Sequence, residues 1–110
     1  MKYQLKSRVS LKIYCDNTDT FNSKPLWEYI LDIAKAKGIS GATVYKAVAG
    51  IGSHKSLHRF DILNLSNTMP LVIEIIEQKE IIEDFLEELD IDINDIFITM
   101  QNVDVLVSKE

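Results

Sequence analysis

The sequence predicts an α+β fold of the ferredoxin-like type, in which a strand–helix–strand unit (the split βαβ) occurs twice in one domain. Four short stretches alternate in the manner of strands, and two stretches with apolar residues at helical spacing lie between the first and second strands and between the third and fourth. We expect a four-stranded antiparallel sheet, two helices on one of its faces, and a long loop after strand two. The 110 residues suffice for one such domain but not for two.

The first half of the chain contains the first strand–helix–strand unit. Residues 9–13 alternate strictly between apolar and polar and predict strand one. Pro25 suits the first position of a helix, and Gly38 suits its end. Strand two is predicted over residues 42–49. The helix presents four apolar residues on one face, namely Leu26, Ile30, Ile33 and Ala34.

The second half repeats this order. Residues 71–76 predict strand three, and residues 79–89 predict an amphipathic second helix. Strand four is expected within residues 96–107. Asn102 and Asp104 weaken its second half, so we expect a bulge or kink there.

The face of the sheet without helices is expected to be partly apolar. If the alternation holds, this face displays Lys12, Tyr14, Tyr45, Ala47, Val72 and Ile76. Such a surface is too apolar to be fully solvated. We therefore expect the protein to associate with itself through the sheet.

The segment that follows strand two is the best candidate for a binding site. Gly50 and Gly52 frame a Gly-x-Gly turn, and eighteen residues then precede Leu71. Glycine lets a ligand approach the main chain closely. His58 and Arg59 follow in the same loop and could meet an anion, although a hydrogen bond of His58 within the loop is an alternative. The loop tip, near residues 53–56, is expected to be mobile because it is polar.

Charge is distributed unevenly along the chain. Residues 1–60 contain ten Lys and Arg against four Asp and Glu, whereas residues 61–110 contain two against thirteen. The net charge of −5 argues against general nucleic-acid binding. The asymmetry would suit contacts between unlike surfaces of neighbouring subunits or an anion near the basic half. The alternative is that residues 80–88 form an ordinary solvated helix face.

Other sequence features indicate the cellular compartment. No window approaches 18 consecutive apolar residues, so we expect no membrane span. The N-terminus lacks the apolar segment of a signal peptide. The single cysteine, Cys15, excludes an internal disulfide and is expected to be a small buried residue. These features favour a reducing, cytoplasmic setting without direct membrane insertion.

No pattern of catalytic residues stands out, and we do not expect an enzyme. His54 and His58 are four residues apart and could share a helical face as metal ligands, but no Cys or carboxylate completes a set. Glu74 is an acidic residue within apolar strand three, where an unpaired carboxylate would be costly. A cross-strand pair with Lys12, a bond to a ligand hydroxyl and a contact between subunits all remain open for it.

An ordered set of motifs resembles the PII-like family named domain of unknown function 190, and more distantly the nitrogen-regulatory PII signalling proteins. The resemblance covers about residues 8–107. Each motif is weak alone, but their order and spacing together are fairly specific. The motifs are Gly41-Ala42-Thr43-Val44, Gly50-Ile51-Gly52, His58, Leu63-x-Leu65-Ser66 and Met69-Pro70-x-Val72-Ile73-Glu74-Ile75.

This resemblance implies a homotrimer of ferredoxin-like subunits that binds an adenine nucleotide in clefts between subunits. The long loop would contact a regulated protein, with a membrane transport protein as one candidate. By position, the resemblance assigns Thr43, Gly50, Gly52 and Glu74 to the ligand site, with the main chain at Ile76 near the adenine.

Two departures from the PII pattern bear on which nucleotide could bind. Nine positions separate Gly41 from Gly50, one more than in PII proteins. The Gly- and Lys-rich phosphate loop is replaced by residues 90–95, which are acidic and would repel a triphosphate. We therefore expect AMP or a similar mononucleotide as the ligand. The alternative function is that of a structural or divalent-metal-handling trimer of the copper-tolerance type, without a nucleotide site.

Overall fold

Four long strands and two helices form the body of the protein, in the order that the sequence predicts. The computed structural model describes residues 2–51, 57–59, 68–92 and 96–109, with only the main chain described at 57–59. The elements are β1 (Tyr3–Asp16), β2 (Thr20–Phe21), β3 (Lys24–Pro25), α1 (Leu26–Ala36), β4 (Gly41–Lys46), β5 (Ala49–Ile51), β6 (Leu57–Arg59), β7 (Pro70–Glu77), α2 (Lys79–Glu88) and β8 (Phe97–Ser108).

The main sheet has the strand order β4-β7-β1-β8, and every neighbouring pair is antiparallel. Both helices cover the same face, because apolar residues of both belong to one core with alternate residues of β1 and β7. This is the ferredoxin-like arrangement, and the predicted fold class is confirmed. We call the covered surface the helix-side face and the other surface the open face.

The core lies between the helices and the helix-side face. Its fully buried side chains include Leu11 and Ile13 from β1, Ile73 and Ile75 from β7, Ile30 from α1, and Ile82 and Phe85 from α2. Burying a side chain of this kind contributes about 1.5–3 kcal/mol. The strict alternation of buried and half-buried residues along β7 shows which residues face the helices.

Helix α1 begins one residue later than predicted. Pro25 is the cap residue before the helix rather than its first residue, because it still pairs with Thr20 in the hairpin of β2 and β3. The helix ends as expected, with Gly38 at φ 70°, a conformation that favours glycine. The Gly38 amide donates to the Lys35 carbonyl and the Ile39 amide to the Ala34 carbonyl, which satisfies the last turn.

The expected bulge in the last strand is wrong. β8 pairs with β1 in one continuous register, from Phe97 opposite Tyr14 to Ser108 opposite Tyr3. Asn102 and Asp104 are both exposed on this edge strand, so their polar side chains reach water without disturbing the pairing. β8 therefore fills nearly the whole range predicted for strand four, whereas β1 is much longer than the predicted strand at residues 9–13.

The second predicted strand, in contrast, is shorter than expected. β4 ends at Lys46, and the Ala47 amide then donates one last bond to the Pro70 carbonyl at 2.9 Å. The chain leaves the main sheet after this bond, because Pro70 is the first residue of β7 and has no backbone N–H to donate to β4. β5 instead pairs with β6 in a separate two-stranded sheet. The predicted mobile tip, at residues 53–56, lies outside the described residues.

One end of the sheet narrows to two strands. β7 ends at Glu77, opposite Val9, whereas β1 continues back to Tyr3 alongside β8. We call residues 3–8 and 103–108 the β-ribbon. It lies at the end of the sheet opposite to the β5–β6 loop, since β1 enters the body from the ribbon and ends beside the start of β7.

Candidate functional site

A cavity of about 420 Å³ lies at the base of the loop that the sequence singles out. Its walls come from the end of β1, the starts of β7 and β8, and the chain that leaves β4. The lining residues are Tyr14, Cys15, Asp16, Ala47, Ala49, Gly50, Ile51, Pro70, Leu71, Val72 and Phe97. Most of these side chains are apolar, so the cavity suits a ligand with a flat or apolar part.

Two aromatic rings form one wall of this cavity. Tyr14 lies directly opposite Phe97 across β1 and β8, and opposite Val72 across β1 and β7. The ring centroids of Tyr14 and Phe97 are 5.4 Å apart, and the rings are tilted by 58°. Phe97 is 57% exposed, so one chain leaves much of this aromatic surface open for contact.

Gly50 lies against the ring of Pro70 at the edge of the cavity. A Cβ atom at this position would be 3.4 Å from Cγ and 3.5 Å from Cβ of Pro70. A small residue suits this position because of the space beside Pro70 and not because of an unusual conformation, since Gly38 is the only described glycine with positive φ. A single methyl group fits in ordinary van der Waals contact, whereas a branched side chain would project toward Pro70 or into the cavity.

The main chain of the loop returns beside Gly50. β6 pairs with β5 so that His58 lies opposite Gly50 and Arg59 opposite Ala49. Both predicted loop residues are therefore close to the base of the loop at the level of the main chain. The orientation of their side chains lies outside the described part of the structure, as does the whole of Gly52.

A second, more polar cavity of about 340 Å³ adjoins the first on the open face. It is lined by Lys12, Tyr14, Tyr45, Val72 and Glu74, so it shares Tyr14 and Val72 with the first cavity. Glu74 lies between Thr43 on β4 and Lys12 on β1 in the sheet. The structure therefore brings Thr43 and Glu74, two of the predicted ligand residues, together.

Two hydroxyl groups hold the Glu74 carboxylate. The Ser10 hydroxyl donates to Oε2 at 3.0 Å, and the Tyr45 hydroxyl donates to Oε1 at 3.2 Å. Lys12 is its cross-strand neighbour, but among the described residues no ion pair within 4.0 Å joins the two side chains. The hydrogen bond to Glu74, followed by its negative charge and by burial, raises the pKa of Tyr45, because each favours the neutral phenol.

Ile76 and Gly50 lie far apart within one chain. Ile76 is opposite Gly41 at one end of β7, whereas Gly50 contacts Pro70 at the other end. Six residues of strand separate Ile76 from Pro70, a length of about 20 Å. Ile76 lines neither of the two cavities. One chain therefore does not gather all the predicted ligand residues around a single small molecule.

Sequence reasoning placed the loop correctly but missed the aromatic wall. Phe97 and Pro70 were not predicted site residues, and Tyr14 was placed on the open face without a role. The alternation already indicated the face of Tyr14, but only the register of β1 with β8 shows that Phe97 lies beside it.

Cys15 is buried, as expected, although it contributes to the lining of the first cavity. Burial, assisted by the charges of Asp19 and Asp16, raises the pKa of its thiol to about 12. The thiol is therefore protonated at neutral pH and is a poor nucleophile or metal ligand.

No group of three His, Cys, Asp or Glu side chains that could hold a metal is present among the described residues. His54 lies outside them, and His58 is described by its main chain only, so the metal hypothesis stays a prediction. In the part of the chain that the structure describes, neither helix is long and apolar enough to cross a membrane.

The fold is similar to that of known PII-like proteins. CPII from Thiomonas intermedia K12, a nitrogen regulatory PII-like protein bound to ADP, AMP and bicarbonate, matches with a TM-score of 0.66 at 17% identity, over 96% of this chain and 92% of that chain. A putative PII-like signaling protein from Thermus thermophilus matches with a TM-score of 0.60 at 15% identity, over 96% and 93% of the two chains. The chain therefore has a PII-like fold.

The family is shown by sequence. The model of DUF190 (Uncharacterized ACR, COG1993) matches residues 8–105. A UPF0166 protein of Aquifex aeolicus (strain VF5) is 38% identical over 96 residues, which cover 87% of this chain and 90% of the relative. UPF0166 protein MJ1524 of Methanocaldococcus jannaschii is 39% identical over 85 residues, covering 77% of each. The chain belongs to the DUF190 family, which confirms the resemblance drawn from its motifs.

Proposed function

We propose that this protein is a regulatory module that forms a homotrimer and binds an adenine mononucleotide such as AMP at the base of its long loop. In this proposal the loop acts on a partner protein in the cytoplasm, and the protein catalyses no reaction. The observation that supports the ligand site best is the aromatic-walled cavity beside Gly50.

The cavity has the size and chemistry that a nucleobase needs. Its volume of about 420 Å³ is within the range of roughly 300–1,000 Å³ that is usual for small-molecule sites. Tyr14 and Phe97 offer aromatic faces for stacking, and Val72 and Pro70 offer apolar contacts. Stacking of a base on an aromatic side chain contributes about 1–3 kcal/mol.

The phosphate would point toward the paired strands β5 and β6. Their main chain is adjacent to Gly50, and the basic residues His58 and Arg59 belong to this segment. Among the described residues that line the cavity none is a cation, and Asp16 is acidic. Each charge-assisted hydrogen bond contributes about 1.5–3 kcal/mol. A monophosphate needs fewer such donors than a triphosphate, so we expect AMP to bind more tightly than ATP.

A site between subunits explains why the predicted ligand residues are spread along β7. Ile76 and Gly50 are separated by about 20 Å of strand, which is too far for one mononucleotide to contact both in the same chain. A ligand in a cleft between copies can meet Gly50 of one copy and Glu74 or Ile76 of the next. The apolar open face, with Tyr14 and Val72 half-buried, supports such an assembly.

The similar structure of CPII bound to ADP, AMP and bicarbonate supports the choice of an adenine nucleotide. That similarity, at 17% identity, is a similarity of fold. The choice of ligand therefore depends mainly on the cavity of this chain and on the charges around it.

Calorimetric titration with AMP, ADP and ATP tests the proposal. We expect wild-type protein to bind AMP most tightly, and Phe97→Ala to weaken AMP binding about tenfold or more because it removes a stacking surface. Phe97→Leu is the matched control for Phe97→Ala: it keeps the apolar bulk but lacks the ring, so it separates the loss of stacking from the loss of apolar volume. Gly50→Val should abolish binding, whereas Gly50→Ala should retain it, because only one added methyl group fits beside Pro70.

Light scattering on wild type and on the same variants checks whether each forms the proposed trimer. Tightest binding of ATP, or unchanged AMP affinity in an intact Gly50→Val trimer, would contradict the proposed site. Divalent metals are added in a parallel thermal-shift experiment. Stabilisation by a metal, with no effect of AMP, would favour the metal-handling alternative instead.

A further inference from the structure

We infer that the β-ribbon is an intersubunit arm that packs against a second copy of this chain, beside its acidic helix α2. This inference rests on the self-association in the proposed function but not on the nucleotide. In one chain, residues 3–8 pair with β8 on one side only, because β7 ends opposite Val9. Within the described residues, no strand occupies their other edge.

The helix-side surface of the β-ribbon carries an uncovered apolar patch, bordered by the exposed polar pair Ser7 and Asp104. Leu5 lies directly opposite Leu106, and their side chains are 56% and 62% exposed. Tyr3 extends the patch at 39% exposure, whereas Val9, at the start of the helix-covered region, is 6% exposed. Beyond the polar Ser7, apolar residues thus resume on this side of β1, past the point where the described helices cover it.

A two-stranded ribbon is only marginally stable in water by itself. An exposed strand edge with apolar side chains also attracts other chains. The β-ribbon nevertheless keeps an unbroken register over six residue pairs, from Arg8 opposite Val103 to Tyr3 opposite Ser108. Burial of the Leu5 and Leu106 patch on a neighbouring molecule would supply the missing apolar contact.

Charge complementarity favours a second copy as that neighbour. The open-face side of the β-ribbon presents Lys6 and Arg8, opposite Val105 and Val103. Helix α2 presents a row of exposed acidic residues, namely Glu80, Glu83, Asp84, Glu87 and Glu88. Only Glu88 of this row forms an ion pair among the described residues, with Lys37 at 3.3 Å.

The β-ribbon and α2 of one chain do not neutralise each other. No salt bridge joins them in the part of the chain that the structure describes. Each copy therefore has one basic and one acidic surface, which can meet head to tail between copies. A head-to-tail contact of this type generates a closed ring when its rotation closes, which is consistent with a trimer.

Sedimentation equilibrium tests the apolar contact. We expect Leu5→Ser/Leu106→Ser to raise the dissociation constant of the assembly about tenfold or more, as loss of a central apolar contact does. Val48→Ser is the matched control, because Val48 is 80% exposed and lies outside the β-ribbon. Circular dichroism checks that each variant is folded. A folded Leu5→Ser/Leu106→Ser variant with unchanged assembly would overturn the inference.

Charge reversal tests the partner surface. Lys6→Glu and Glu83→Lys/Glu87→Lys should each weaken the assembly, and their combination in one chain should restore it. Arg8 is left unchanged, because its charge also acts on the buried Glu77 of its own chain. Lys35→Glu, an exposed reversal on α1, should have no effect. Weakening without any restoration would show that these two surfaces are not partners.

Cross-linking decides whether the contact joins two copies. A mixture of ordinary and ¹⁵N-labelled protein is treated with a carbodiimide, which links Lys6 to a carboxylate in direct contact. Mass spectrometry should find Lys6 linked to Glu83 or Glu87 in peptide pairs of mixed isotope composition. Links in pairs of a single isotope composition only would place the contact within one chain and overturn the inference.

Together, the assembly and AMP-binding experiments test the intersubunit arm and the nucleotide site independently. A wild-type assembly that binds no AMP but dissociates in the β-ribbon variants supports the arm and contradicts the ligand. A wild-type assembly that binds AMP and is unaffected by the β-ribbon variants contradicts the arm alone. A wild-type monomer contradicts the arm and the proposed assembly together.

Discussion

The two faces of β7 differ in how completely one chain satisfies them. On the helix-side face, Leu71, Ile73 and Ile75 are at most 4% exposed and pack into a continuous core. On the open face, the alternating residues Val72 and Glu74 are only half-buried. The helix-side face of β7 is covered within one chain, whereas the open face of β7 leaves apolar and charged side chains partly exposed.

The two carboxylates of this strand show the same contrast. Glu77, on the helix-side face, is 6% exposed and accepts hydrogen bonds from the Ser40 amide and hydroxyl, both at 2.9 Å, and from the Gln78 amide at 3.0 Å. Glu74, on the open face, is held only by the hydroxyls of Ser10 and Tyr45 among the described residues. The helix-side face therefore determines stability, and the open face is available for binding.

The largest expected change in folding stability comes from truncating a residue on the helix-side face of β7, compared with the same truncation on the open face. Ile73→Ala should lower the free energy of unfolding by about 2–5 kcal/mol, because it leaves a cavity in a fully buried site. Val72→Ala, one residue away, should cost much less per chain and should mainly weaken the assembly. Urea unfolding at protein concentrations that differ tenfold separates the two effects. Equal losses at all concentrations would remove the distinction between the faces.

A medium effect is expected at Glu77. Burial raises the pKa of this carboxyl, but hydrogen bonds from Ser40 and Gln78 and the charge of Arg8 outweigh it, so the net pKa is lowered. Its ionised form therefore stabilises the fold above the ordinary glutamate pKa of about 4.3, and that stability is lost as the pH falls through the lowered value.

Glu77→Gln should lower the free energy of unfolding at pH 7 by about 1–3 kcal/mol. The difference from wild type should shrink below about pH 4, because the wild-type carboxyl then becomes protonated. Glu74→Gln on the same strand is the control for removing one negative charge, and it should cost less at pH 7. A difference for Glu77→Gln that stays constant down to pH 3 would show that hydrogen bonding of the ionised carboxylate is not its origin.

The smallest expected effect concerns Tyr45, whose pKa is raised chiefly by its hydrogen bond to Glu74. Glu74→Gln removes the negative acceptor, so the phenol of Tyr45 should ionise at a lower pH, nearer to its ordinary value of about 10. An NMR titration of the Tyr45 ring measures the change, and the ring of Tyr29, on α1, serves as the reference. An unchanged titration of Tyr45 would show that the bond to Glu74 does not persist in solution.

Several features of the fold could be predicted because they depend on residues that are close together in the sequence. The period-two pattern of residues 71–76 and the apolar stripe of residues 79–89 each show which side of the element faces the core. Gly38 and Pro70 mark ends of elements for steric reasons. The first part of β1 was missed, although Tyr3 and Leu5 alternate with polar residues, because this segment gains its strand structure only by pairing with the second half of β8.

The candidate site was predictable only in part, for the same reason. Gly50 was predicted as a site residue because glycine before a polar loop lets a ligand approach the main chain closely. The family resemblance added Thr43 and Glu74. Nothing in the sequence near residue 97 indicates that Phe97 faces Tyr14, since 83 residues separate them. Their contact depends on the register between the first and last strands.

The sequence by itself determined the order of strands and helices, the helix-side core and the position of the loop, because periodicity and turn residues act over a few neighbours along the chain. Only the tertiary structure decided how long β1 is, where β4 leaves the sheet and which aromatic residues enclose the cavity. These features depend on pairing between distant strands. The energy of such pairing comes from both strands together, so it cannot be predicted from the sequence of either segment alone.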